Sequence, residues 1–474
     1  MVTEQKMGHS RPQRNLRCTI TSPNSAELSN AFFQNVLQRR STALPTIGGQ
    51  KSATRLRSGQ FSVIHHDKSR VCVESHQLLL RIFRVQNEGR PMLRLPIFKT
   101  YMLIAIGVGI SITNIGTHSQ GAQESAESVV STGVTPDKKA VVERALRYLR
   151  IEGQAADGTF SIEAGPGVTA LVLTAMLRHK VGLDDPALAK GLKALEGFVK
   201  PDGGIYGNGR LMNYETCVGV LAFSEANKIA GDGRYNKILA NAKSFLTGMQ
   251  FGGAVGEETD NLDYGGAGYA GKGRPDLSNT TYLMEALKAL DAGQDDPAIQ
   301  RALVFISRCQ NLKSEHNDIE LSANVNDGGF YYKIPTEKEL ESADKSSSSG
   351  GLRSSGSMTY SGLKSMIYAG LNADDVRVKA AIDWIGKHYT LKENPGMGSA
   401  GLYYYFHTFA AGISAAGLNE FKDSSGTAHP WREELTKELA GLQTKSGSWK
   451  NENRQWFEND QNLCTAFALL SLAY

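Results

Sequence analysis

The sequence predicts an all-α protein, an (α/α)6 toroid of six inner and six outer helices that follows a disordered leader. Two observations carry this. From Pro136 onward a polar-faced helix, a Gly-rich turn and a nearly all-apolar helix recur six times. The chain also ends on an apolar helix, Leu469-Leu-Ser-Leu-Ala-Tyr474. An open array of helix pairs needs polar ends, so a terminus of this kind wants a neighbour, and closure onto the first hairpin supplies one.

The polar-faced helices start near Asp137, Asp185, Arg234, Asp296, Asp374 and Trp431. In Leu183-Asp-Asp-Pro186, Gln294-Asp-Asp-Pro297 and Ala373-Asp-Asp-Val376 an Asp can cap free backbone N–H groups, and Pro suits the first turn. Capping outweighs a catalytic dyad here, because the same chemistry recurs at the same place in successive units. A turn signal follows, as in Gln154-Ala-Ala-Asp-Gly-Thr-Phe160, Asp202-Gly-Gly-Ile-Tyr206, Asp327-Gly-Gly-Phe330 and Gln443-Thr-Lys-Ser-Gly-Ser-Trp449. Glycine permits the left-handed turn, Asp bonds its backbone, and the aromatic plugs the gap between helix pairs. The apolar partners are expected at 167–181, 213–227, 277–291, 357–370, 402–417 and 460–473, buried on both sides.

The net charge of +4 conceals two unlike parts. Up to Thr100 there are 16 Lys and Arg against 5 Asp and Glu, which leaves 36 basic and 43 acidic residues in the remainder. The body therefore lacks the electrostatics of a nucleic-acid binder. Residues 1–91 hold no persistent period and read as a disordered basic leader, consistent with a start at Met92. Residues 92–135 have the layout of a secretory signal, with a charged stretch to Lys99, an uncharged run from Tyr101 to Ile115 and a small, polar tail. Export is expected, to a periplasmic or extracellular location, with residues 101–115 as signal or anchor and the only membrane contact. Residues 136–474 form the toroid. Cys217, Cys309 and Cys464, widely spaced, predict buried free thiols rather than a disulfide framework or zinc finger.

Gln443-x-x-x-Gly447-x-Trp449, the Asp-Asp-Pro starts and the Asp-Gly-Gly-aromatic turns resemble squalene–hopene cyclases and the β subunits of protein prenyltransferases. The resemblance covers the toroid alone. It implies that fold and a central cavity for a polyprenyl-like molecule. The cyclases' Asp-x-Asp-Asp acid does not occur in this sequence. Of the prenyltransferase zinc ligands, Phe406-His407-Thr408 resembles the His helix, but Ser357 and Thr359 stand where Asp and Cys should, a poor zinc site. No metal and no cofactor are therefore expected, and enzymatic activity is left open.

The starts of the inner helices share polar residues that should converge at one end of the cavity: Glu215, Asn279, Thr359 with Tyr360, His407, and Asn462. His407, Glu215 and Tyr360 are the candidate acid–base and positioning groups, and Asn279, Thr359 and Asn462 candidate substrate contacts. Asp276 and Asp460 read as caps. The Gly-rich loop 260–276 adds Asp263, Tyr264 and Arg274, the last able to pair with a phosphate, and Tyr404 adds an aromatic wall. The connection from 311 to 356 is long enough for a flap. The expected partner is an apolar small molecule, isoprenoid or lipid, and no nucleic acid. The alternative is an exported non-catalytic toroid that binds a protein or glycan, although the Gly-Cys-Gly-Glu-Gln of thioester toroids is missing. A sugar-active toroid would need a carboxylate pair, for which Glu215 and Asp263 are the candidates.

Overall fold

The computed structural model describes residues 136–252, 259, 261–271, 273–336 and 352–474. The expected leader and signal or anchor lie outside these residues. The described chain is all-α apart from a two-residue hairpin, β1 (Phe421–Lys422) against β2 (Ala428–His429).

The outer helices are α1 (Lys138–Tyr148), α3 (Pro186–Glu196), α5 (Asn236–Met249), α7 (Pro297–Arg308), α10 (Val376–His388) and α12 (Trp431–Leu442). Each buries one stripe, as α7 does with Ala298, Ile299, Ala302, Leu303 and Ile306. Asp137, Asp185, Asp296 and Asp375 cap four of them, each accepting from a backbone N–H two residues on at 2.9–3.0 Å.

The inner helices are α2 (Pro166–Arg178), α4 (Met212–Ala230), α6 (Leu277–Ala289), α9 (Gly356–Tyr368), α11 (Leu402–Ala415) and α13 (Gln461–Leu472). Every residue of α2 except Arg178 is buried. The apolar all-round composition follows from packing: α2 touches α4, α4 touches α6, then α9, α11 and α13 follow in turn, and α13 touches α2 again. Within the 311–356 connection lie a short helix, α8 (Glu320–Val325), and a packed stretch in which Phe330 pairs with both Gln310 and Ser355.

A repeated polar joint ties the pairs together. Gln154, Gln250, Gln310 and Gln443 each donate from Nε2 to two carbonyls at 2.7–3.0 Å, one on the glycine of the turn and one near the start of the next outer helix. For Gln443 that next helix is α1, through Val141. The turn glycine needs its φ: Gly447 has φ +98° and would place a Cβ 2.4 Å from the Arg144 carbonyl of α1. On the inner side a threonine near the start of five of the six inner helices accepts from the turn backbone, namely Thr169, Thr216, Thr280, Thr359 and Thr465, at 2.9–3.1 Å. The three body cysteines are free and buried.

Candidate functional site

A cavity of about 530 Å³ opens at the N-terminal ends of the inner helices, and all six helix starts or the residues just before them contribute to its wall. Eight aromatic side chains line it, among polar residues such as Ser278, Ser357, Asn394 and Glu458. Tyr214, Tyr282, Tyr404 and Phe467 come from inner helices, and Tyr269, Tyr332, Trp456 and Phe457 from the preceding loops. Burial pushes the phenol of Tyr404 up to about 12 and those of Tyr214 and Tyr282 higher still, so these walls stay uncharged near neutral pH. Tyr282 packs edge-on against Tyr214 and stacks toward Tyr404, with centroids 5.1 and 6.2 Å apart.

The rim is aromatic as well. Trp456 and Phe457 are 51% and 59% exposed, and both have positive φ, +53° and +64°. Bulky residues rarely take that conformation, and here it carries both rings to the cavity edge. Glu458, next in sequence, is buried; it accepts from the Tyr404 N–H at 2.8 Å and from Asn451 at 2.8 Å, and caps α11. Burial raises its pKa against the effect of those donors. Arg454 is the one Lys or Arg among the described lining residues, and it is exposed.

Asn279 and Tyr404 border the cavity directly. The Tyr404 hydroxyl pairs with Ser278 Oγ at 3.0 Å. Asp276 caps α6 through the Asn279 N–H at 2.8 Å and accepts the Asn279 side-chain Nδ2 at 2.8 Å. Burial raises the Asp276 carboxyl to about 6 despite these bonds. Asp276 thus caps, as its sequence position suggests, and also fixes which way the Asn279 amide points.

The remaining candidates do not border the cavity. Glu215 accepts from the Gly207 N–H at 3.0 Å, tying a turn to α4, and burial raises its pKa. Thr359 is engaged in the turn joint with Phe330 and also donates to Ser355 at 2.7 Å. Tyr360 is packed among Tyr405 and Phe409. Asn462 donates to the Gly153 carbonyl and Ser161, each at 3.0 Å, and so joins α13 to the first hairpin. Asp263 and Arg274 pair with each other at 2.8 Å, and Tyr264 lies against Gly252.

His407 sits one turn beyond Tyr404 on α11, in a fully buried layer with Glu285 of α6 and Lys364 of α9. Phe467 stacks on it with centroids 5.8 Å apart, so this cavity-lining ring also covers the imidazole. Burial takes its pKa down to about 3 against the opposing charge of Glu285, with Lys364 and Arg178 adding to the shift, and Nδ1 has no hydrogen-bond partner. Burial alone would raise Glu285, but the Lys364 ammonium beside it holds its pKa below the usual value. The zinc site of the resembled prenyltransferases does not fit these residues: Ser357 is held by Asn394, Thr359 by the turn, and no group of three metal-binding side chains occurs among the described residues.

The sequence reading did not single out Tyr269, Tyr282, Tyr332, Trp456, Phe457 or Phe467 as ligand contacts. Tyr282 had a signal, its place three residues after Asn279 on the same helix face. The loop aromatics had none, since their approach depends on how the loops fold. A larger open groove of about 1160 Å³ lies outside, between α1 and α3, and is lined by charged side chains such as Lys138, Arg147, Asp184 and Asp185. It lacks the aromatic enclosure of the inner cavity.

No protein-family model and no curated protein matches the sequence. Among solved structures it is similar to a protein from Actinoplanes, at 12% identity and a TM-score of 0.33, over 71% of this chain and 98% of that one. It is also similar to the type II terpene cyclase MstE from Scytonema without ligand, at 13% identity, a TM-score of 0.27 and coverage of 71% and 98%. A variant of the same enzyme in complex with the product merosterolic acid A follows, at 15% identity, a TM-score of 0.26 and coverage of 71% and 96%. Likenesses this weak decide nothing about the chemistry of this chain.

Proposed function

We propose that residues 136–474 form an (α/α)6 toroid that binds a polyprenyl-like or comparably elongated apolar molecule in the cavity at the N-terminal ends of its inner helices. The observation that carries this is the lining itself, eight aromatic side chains around about 530 Å³. Sites for small organic ligands are apolar clefts of roughly 300–1,000 Å³ with a few placed polar groups. The cyclic contacts of the six inner helices and the Gln443–Val141 joint support closure of the ring. His407, Glu215 and Tyr360 lie outside the lining, so the proposal is one of binding and includes no catalytic step.

The test is native mass spectrometry of the full chain purified from exporting cells, followed by solvent extraction. An apolar molecule bound one to one supports the reading, and an empty protein that also takes up no added isoprenoid overturns it. Export itself is proposed from the apolar run at 101–115, and cell fractionation tests it. No helix among the described residues is long and apolar enough to cross a membrane.

A further inference from the structure

Two oxygens in the cavity wall lack a well-formed hydrogen bond. Asn279 and Tyr282 are three residues apart on α6, which places them on one face of the helix, and both line the cavity. They are 1% and 4% exposed. Asn279 Oδ1 has no hydrogen-bond partner, and the Tyr282 hydroxyl, which lies near that of Tyr214, makes no well-formed hydrogen bond. Buried polar atoms are normally paired, and an exception inside a ligand cavity calls for an explanation.

The amide orientation is not arbitrary. Asp276 Oδ2 takes Nδ2 of Asn279 at 2.8 Å, and an ionised carboxylate can only accept. The Asn279 amide therefore presents its acceptor, Oδ1, as the free atom. Tyr282 offers a hydroxyl that can donate. Together they place an acceptor and a donor three residues apart on one helix of the cavity wall, a complement to a group that both donates and accepts.

Resting on the cavity-binding reading above, we propose that Asn279 and Tyr282 recognise a hydroxyl on the apolar ligand, so that the ligand class is a neutral isoprenoid or similar long-chain alcohol. The ligand O–H donates to Asn279 Oδ1 and its oxygen accepts from Tyr282. A pure hydrocarbon leaves both protein oxygens desolvated and gives neither a hydrogen bond. A diphosphate has no proton to offer Oδ1 when fully ionised and would meet buried Glu458 in the same wall, with Arg454 at the rim as the one cation among the described lining residues.

The experiment measures binding of three probes to the full chain by calorimetry: geranylgeraniol, the same chain ending in a methyl group, and the same chain ending in a diphosphate. We expect the alcohol to bind about tenfold more tightly than the hydrocarbon, the ratio one net hydrogen bond provides, and the diphosphate most weakly. Tyr282→Phe removes only the hydroxyl, so it removes one of the two bonds to the alcohol and should lower the alcohol-to-hydrocarbon ratio several-fold. Asn279→Leu should do the same, and Tyr282→Phe keeps the test valid if loss of the Asp276 partner unfolds that variant. Equal binding of alcohol and hydrocarbon, tightest binding of the diphosphate, or an unchanged ratio in Tyr282→Phe overturns this inference and leaves the cavity reading standing. Failure of all three probes to bind overturns the cavity reading and this inference with it.

Discussion

At Gly447 a single methyl group meets two obstacles, a φ of +98° and the Arg144 carbonyl of α1 at 2.4 Å. Gly447→Ala should destabilise the protein by at least about 2 kcal/mol, since an L side chain is strained at that φ and backbone cannot step aside cheaply. The midpoint of urea unfolding measures it. His407 gives a pH-dependent expectation. Its pKa is near 3 when folded and near 6.5 when exposed, so the unfolded chain binds the extra proton between those values. Its contribution is therefore complete above about pH 6.5 and lost as the pH falls toward about 3. His407→Leu should lose less stability than the parent over that window; parallel stability curves would show that the imidazole is not held neutral. Residue chemistry was only partly legible in the sequence. Asn279 was marked by its place at an inner-helix start, and it borders the cavity. Glu215, Thr359 and Asn462 share that kind of place but face the turn joints, and no pattern within one helix distinguishes the two orientations.

Between elements, the buried Glu285–Lys364 pair bridges α6 and α9, neighbouring inner helices separated along the chain by α7 and α8. Removing one partner strands the other charge in the core, which costs about 3–5 kcal/mol, whereas replacing both by apolar residues of similar size is often neutral. We expect Glu285→Met and Lys364→Met to be strongly destabilising singly and the double variant to recover most of the loss. Additive losses in thermal unfolding would show that the pair is not coupled. Helix positions were readable because each is bounded by a mechanism, an Asp cap before it or a glycine turn beside it. The β1–β2 hairpin was not, because two-residue strands carry no period. Helix α8 was missed within the 311–356 connection for the same reason, being only six residues long.

Across the whole molecule, the last hairpin is tied to the first: α13 packs on α2, Gln443 bonds Val141, and Asn462 bonds Gly153 and Ser161. The apolar composition of α13 accords with this joining, because a helix buried nearly all round needs a neighbour on each side. Deleting α13 exposes the faces of α2 and α11 that it covers, and we expect loss of the cooperative thermal transition. Survival of a single sharp transition would indicate an open array. The cavity follows from the same arrangement, since it forms where all six inner helices begin. Met358 lines it and is 4% exposed, so a larger side chain there must project into the open space or displace its neighbours. The most direct measurement is therefore geranylgeraniol binding to the parent protein and to Met358→Trp, with thermal unfolding of both as a control on folding. We expect saturable one-to-one binding by the parent and at least tenfold weaker binding by a folded Met358→Trp; equal binding by the two would contradict the assignment of this cavity as the ligand site.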